Sequence, residues 1–158
     1  MQDKEHTPLL RRICNPRGSR TTVALLLLIT CLNLLNCITR DPAYWYFSLT
    51  FPYRVTDALV TGEPTLPTML VCAFSVLLFL GAFAFLYVFS GKTPIAFLIA
   101  AGLLAIDMLA IFLSWNGLGS LFDLFFHLVG IAELCGTYYF SHKDGDGGTV
   151  SVENAEKQ

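Results

Sequence analysis

The chain has 158 residues, of which 54% are hydrophobic and 14% are charged, and its formal net charge is −2. Its apolar residues lie in blocks longer than the helices of a soluble core, which indicates an all-α integral membrane protein. Because the charges cluster at the two ends and in one loop, the composition does not indicate binding to nucleic acid.

The N-terminal segment, residues 1–20, is polar and basic, and we expect it to be a disordered cytosolic tail. Within it, Glu5 precedes the pair Leu9 and Leu10 at the spacing of the acidic dileucine signals that clathrin adaptors read for sorting to endosomes and lysosomes. A pattern this short also arises by chance. Cys14 could carry a palmitoyl group, or it could be a plain exposed thiol.

The first predicted spanning helix covers residues 21–39, which carry no charge. About 20 helical residues cover the roughly 30 Å of a bilayer core, so this stretch is just long enough. Thr30, Asn33 and Cys37 form a polar stripe at helical spacing, which favours hydrogen bonds to a neighbouring helix.

A loop, residues 40–67, follows. Its first half is rich in rings that suit the headgroup zone of a membrane, namely Tyr44, Trp45, Tyr46, Phe47, Phe51 and Tyr53. We expect this stretch to lie on the membrane surface as a flap. The functional alternative is that a lipid or a partner protein binds along it.

Three more spanning helices are predicted over residues 68–90, 94–115 and 119–140, and the polar tail, residues 141–158, should be disordered. Together the four spans predict a membrane four-helix bundle. The third helix carries alanines at a spacing that allows close helix approach. A homo-oligomer is a separate expectation.

Ionisable residues stand inside the last two predicted helices, where a charge costs roughly 2.5 to 3.5 kcal/mol on insertion scales. Asp107 lies near the middle of one helix, and Asp123, His127 and Glu133 lie along the other. An antiparallel hairpin would bring Asp107 next to His127, and Asp123 shares a helix face with His127. We therefore expect a polar seam inside the bundle. It could be a packing lock that fixes helix register, or a path for ions or protons.

The basic residues predict that both tails are cytosolic. With four spans, the tails and the turn at Lys92 share one side of the membrane and hold most of the Lys and Arg, whereas the large loop offers only Arg40 and Arg54.

The sequence contains no recognisable enzyme motif, such as a Gly-rich phosphate loop, His-Glu-x-x-His or Gly-x-Ser-x-Gly. One intramembrane histidine with Asp107 and Asp123 is a poor metal site, for which a second histidine would be expected. The five cysteines lack the spacing of paired ligands and are typical of small buried hydrophobes. We expect no catalysis, no cofactor and no metal.

Several short features follow one another along the chain: Arg40-Asp41 after the first span, Leu49-Thr50-Phe51 in the loop, Trp115 ending the third span and Glu133 late in the fourth. In this order they resemble the transmembrane protein 107 family, over roughly residues 21–143. The resemblance implies a four-pass scaffold of the ciliary transition zone that helps assemble the Meckel and Joubert syndrome module, which gates ciliary membrane composition. The long basic front, the acidic tail and the residues Asp107, Asp123 and His127 depart from that pattern.

Two hypotheses follow. In the first, the chain is a non-enzymatic membrane scaffold whose seam locks the bundle and whose aromatic loop or tails dock other membrane proteins. In the second, the seam conducts protons or cations in an endolysosomal membrane, where the imidazole of His127 would respond to acidity.

Overall fold

The structure, a computed structural model, describes residues 13–115 and 117–155. Over these residues the chain forms no strand and five helices: α1 (Pro16–Thr39), α2 (Thr50–Thr61), α3 (Leu66–Phe89), α4 (Ile95–Leu113) and α5 (Leu118–Ala155). Every helix except the short α2 is long and apolar enough to cross a membrane, which makes four candidate spans. The predicted all-α, multi-pass membrane architecture is therefore confirmed.

Helix α1 begins at Pro16, inside the stretch predicted to be a disordered tail. The Asn15 side chain accepts a hydrogen bond from the Gly18 N–H at 2.8 Å, which caps the new helix end. Proline at a first helical position has no N–H that needs a partner, so the helix can begin in polar sequence. Cys14 is buried rather than exposed, and its sulfur lies close to Gly136 of α5.

Helix α5 continues to Ala155, past its predicted end near Phe140. Residues 141–155, which lie in the predicted C-terminal tail, are thus part of this helix. No proline follows Phe140 to stop the helix, and each residue added to an existing helix gains a backbone hydrogen bond. The candidate membrane span within α5 covers Leu118–Lys143.

The loop predicted over residues 40–67 contains helix α2, which periodicity did not reveal. The chain also enters the bundle before this helix begins, since Ser48 and Leu49 are 0% exposed and Thr50 is 1% exposed. The expectation of a flap on the membrane surface is wrong for this part of the loop. Phe47 marks the point of entry with a φ of 68°, a left-handed conformation that bulky residues seldom adopt.

The apolar core lies where all four spans meet, around Phe83 of α3, Phe97 and Leu104 of α4, and Leu134 of α5. Small α4 residues, Ala96, Ala100 and Ala101, are buried in this core, so the close approach that they allow is used within the chain. Large apolar side chains cover the outside of α3, as expected for a helix surface that faces acyl chains.

Candidate functional site

The structure brings Asp107 and His127 into direct contact, as the hairpin geometry predicted. The Nε2 atom of His127 lies 2.8 Å from Oδ2 of Asp107, and the two side chains are 2% and 0% exposed. Helices α4 and α5 are joined through Gly117, whose φ of 89° suits a residue without a side chain. This short connection fixes which residues of the two helices face each other.

The hydrogen bonds of His127 determine how many protons the pair holds. Its Nδ1 atom lies 2.8 Å from the backbone oxygen of Asp123, and because a carbonyl oxygen only accepts, Nδ1 carries a proton. The contact between Nε2 and Asp107 needs a proton as well. The pair is therefore either imidazolium with carboxylate or imidazole with carboxylic acid. Both forms have zero net charge, which lowers the cost of burial.

Asp107 also caps helix α2 from a distant part of the chain. Its two carboxyl oxygens accept hydrogen bonds from the backbone N–H groups of Thr50, at 2.7 Å, and Phe51, at 2.8 Å. Leu49 at the N-cap position has no side chain that could do this. A carboxylate at this position also interacts favourably with the helix dipole. One side chain thus connects α2, α4 and α5.

The polar stripe of α1 binds the re-entering segment, residues 45–49, which precedes α2. It does not bind a neighbouring helix in the described part of the chain. The Asn33 side chain donates to the Trp45 carbonyl at 2.8 Å and accepts from the Trp45 N–H at 2.9 Å. The hydroxyl of Thr30 accepts a hydrogen bond from the Leu49 N–H at 2.8 Å. Buried side chains therefore satisfy backbone groups that would otherwise be unpaired in an apolar setting.

The aromatic residues of the loop divide into inward and outward groups. Trp45 and Tyr46 are exposed, by 58% and 43%, whereas the other four are partly buried: Tyr44, Phe47, Phe51 and Tyr53. Phe47 packs against Phe126, with ring centroids 5.8 Å apart, and Phe51 packs against Phe79 at 5.2 Å. Only the outward pair matches the predicted interfacial surface.

Asp123 faces the loop rather than Asp107. The phenol of Tyr44 donates a hydrogen bond to Oδ2 of Asp123 at 3.0 Å. Burial raises the pKa of Tyr44, and the neighbouring carboxylate raises it further, so the phenol keeps the proton that it donates.

Glu133 belongs to a separate polar cluster. Its carboxylate accepts hydrogen bonds from Ser19 at 3.1 Å and from Thr22 at 2.9 Å, both on α1. Between this cluster and His127, the side chain of Leu104 fills the space over Gly130. Among the described residues no hydrogen bond joins the two clusters, so the predicted single seam is in fact two clusters separated by apolar packing.

Within residues 13–115 and 117–143, no group of three His, Cys, Asp or Glu side chains is arranged to hold a metal ion. The candidate sorting residues Glu5, Leu9 and Leu10 lie outside the described residues. Comparisons of the chain with protein-family models, with curated proteins and with solved structures found no match.

Proposed function

We propose that this protein is a non-enzymatic four-pass membrane scaffold whose buried polar groups hold the segment between α1 and α2 inside the bundle. The observation that carries the proposal is the set of contacts made by Asp107, which binds the N-terminus of α2 and the imidazole of His127 together. A neutral buried pair that also caps a helix fixes the arrangement of three elements.

The fixed segment gives the scaffold a surface for a partner. Trp45 and Tyr46 are exposed at its outer side, while Asn33 holds the Trp45 backbone on both its N–H and its carbonyl. Aromatic side chains that are already ordered lose less entropy when they bind. Other membrane proteins are the partners that this surface suits, because its rings are of the kind found at membrane interfaces.

The resemblance to the transmembrane protein 107 family supports a more specific proposal. The scaffold acts at the ciliary transition zone, where it helps assemble the Meckel and Joubert syndrome module and so the gate that controls ciliary membrane composition. Both tails are cytosolic in this proposal, in keeping with the excess of Lys and Arg on the side that holds them.

A proton- or cation-conducting role in an endolysosomal membrane is the second candidate. The contact between His127 and Asp107 contains a proton, and shared protons of this kind occur in relays. Against conduction stands the apolar packing of Leu104 over Gly130, which separates that pair from Glu133. A continuous path would need polar groups or water where these side chains meet.

Flux measurements on purified protein in sealed vesicles distinguish the two candidates. The scaffold predicts no proton or metal flux above that of protein-free vesicles, for the wild type and for His127→Ala alike. His127→Ala should lower stability, whereas the control Asp57→Asn, on the partly buried face of α2, should not. Flux in the wild type that His127→Ala abolishes while the protein remains folded would overturn the scaffold proposal.

Localisation tests the ciliary part of the proposal separately. The full chain, tagged at the C-terminus in a ciliated cell, should collect at the base of the cilium. A signal on acidic vesicles alone, lost on replacing Leu9 and Leu10 by alanine, would instead favour the sorting signal and contradict the ciliary role.

A further inference from the structure

A small cavity lies at the end of the bundle where α4 turns into α5. Its volume is about 200 Å³, and it is lined by Tyr44, Tyr46, Tyr53, Arg54, Gly119 and Asp123. Gly119 lies at the start of α5, and Arg54 reaches the backbone oxygen of Ser114 at the end of α4. The cavity is therefore close to the level where the spans leave the bilayer core and lipid headgroups begin.

Two residues of opposite charge in this wall, Asp123 and Arg54, each have one buried polar atom without a hydrogen-bond partner among the described residues. Asp123 is only 4% exposed, and its Oδ1 atom has no hydrogen-bond partner among the described residues. The Nε atom of Arg54 is equally without one there, and its Nη2 atom lies at the long distance of 3.5 Å from Ser114. Buried polar groups normally have partners, so these two atoms point to a molecule that would supply them.

Three tyrosines complete the cavity beside Asp123. The rings of Tyr44 and Tyr46 are 5.6 Å apart at an interplanar angle of 89°, and those of Tyr44 and Tyr53 are 4.7 Å apart at 56°. Rings set at such angles form a corner, and the faces of tyrosine rings attract ammonium groups. A carboxylate next to an aromatic corner suits an organic cation.

We propose that this cavity binds the headgroup of phosphatidylethanolamine, with its ammonium group against Asp123 and the tyrosines and its phosphate against Arg54. A simple cation or a simple anion would satisfy only one of the two charged residues. The free oxygen of Asp123 needs a hydrogen-bond donor, and the primary ammonium of ethanolamine carries N–H groups, whereas that of choline does not. The bound lipid would belong to the leaflet at the end of the bundle where α2 lies.

Native mass spectrometry of the full chain, delipidated in detergent, tests this proposal. The probes are phosphatidylethanolamine, phosphatidylcholine and phosphatidylglycerol with identical acyl chains. The wild type should prefer phosphatidylethanolamine, and Asp123→Asn should weaken its binding at least about tenfold, the effect of losing one charge-assisted hydrogen bond. Arg54→Gln should weaken binding of all three lipids, because each of them carries the phosphate.

Two variants at the same end of the bundle serve as matched controls. Arg40→Gln removes a positive charge and Asp57→Asn a negative one, as Arg54→Gln and Asp123→Asn do, but both residues line a different cavity. Neither control should change the lipid preference. Thermal unfolding identifies any variant that has lost its fold. If Asp123→Asn fails this check, Arg54→Gln and Tyr46→Leu still test the two halves of the site.

Three results would overturn the proposal. One is equal binding of phosphatidylethanolamine and phosphatidylglycerol by the wild type. Another is a lipid preference that neither Asp123→Asn nor Arg54→Gln alters in the folded protein. The third concerns the source of the headgroup, since binding of soluble glycerophosphoethanolamine as tightly as the lipid would show that the membrane molecule is not the ligand.

Discussion

The carboxyl group of Asp107 accepts a hydrogen bond from the N-terminus of α2 and shares a proton with the His127 side chain of α5. Asp107→Asn keeps the size of the side chain but replaces one acceptor oxygen by a donor. We expect the free energy of unfolding to fall by about 2–3 kcal/mol, the usual effect of losing a hydrogen bond to a charged group. Reversible unfolding in detergent micelles measures it.

The control for Asp107→Asn is Asp57→Asn, which removes a carboxylate from the partly buried face of α2. Its expected change is within about 0.5 kcal/mol, as for most substitutions away from a buried network. Equal losses in the two variants would contradict the assignment of Asp107 as the remote cap of α2.

Phe47 combines a strained backbone with a packed side chain, and two truncations separate these effects. Its φ of 68° lies in the left-handed region, where any residue with a Cβ atom is strained by roughly 1–2 kcal/mol. Phe47→Ala and Phe47→Gly lose the same ring contacts, but only glycine relieves the strain. We expect the glycine variant to be more stable than the alanine variant by about 1 kcal/mol in the same unfolding assay.

Inside a regular helix the Gly variant should be less stable than the Ala variant, the opposite of the order expected at Phe47, and such a position therefore serves as a control. Ala105 is an exposed residue within α4. The variant Ala105→Gly should be less stable than the wild type by about 1 kcal/mol. If the Gly variant is less stable than the Ala variant at both positions, Phe47 does not have the left-handed conformation.

At the scale of the elements, local sequence predicted the spans and the contact between Asp107 and His127, because a short connection pairs residues at equal distances from the turn. Helical periodicity shows which face of a helix is polar, but it does not show what lies opposite. The acceptor for the Thr50 N–H is 57 positions away along the chain. The Tyr44 hydroxyl binds Asp123 at a separation of 79, and Ser19 binds Glu133 at one of 114. Pairings this distant follow from the packing of whole helices.

Helix α5 packs closely against the start of α1 at Gly136. A Cβ atom added there would lie 2.5 Å from the sulfur of Cys14, closer than two such atoms can approach. We expect Gly136→Ala to lower the free energy of unfolding by about 1–3 kcal/mol through overpacking. The double variant with Cys14→Ala removes the sulfur and should recover most of that loss.

Gly81 of α3 is the matched control, since an added Cβ atom there meets nothing within 4 Å. Gly81→Ala should be neutral or slightly stabilising because alanine is the better helix former. A loss at Gly136 that Cys14→Ala does not reduce would mean that the two helices do not approach at this point.

For the whole molecule, the buried polar groups lie at two depths. The Glu133 cluster ties α5 to the first turns of α1, and the Asp107 cluster ties α5 and α4 to the segment before α2. Apolar association between helices is weak in lipid because acyl chains are equally apolar. The ionisable residues therefore specify which helices meet and where the re-entering segment stops.

Single-cysteine labelling of intact cells tests this architecture as a whole. In a background without the five native cysteines, Glu63→Cys lies just after α2 and Lys92→Cys lies between α3 and α4. If α3 spans the membrane, a membrane-impermeant maleimide should label Glu63→Cys from outside and Lys92→Cys only after permeabilisation. Ser48→Cys should resist labelling from both sides until the protein is denatured, because Ser48 is 0% exposed. Labelling of Glu63→Cys and Lys92→Cys from the same side would contradict the four-span topology, and labelling of Ser48→Cys in the folded protein would contradict re-entry.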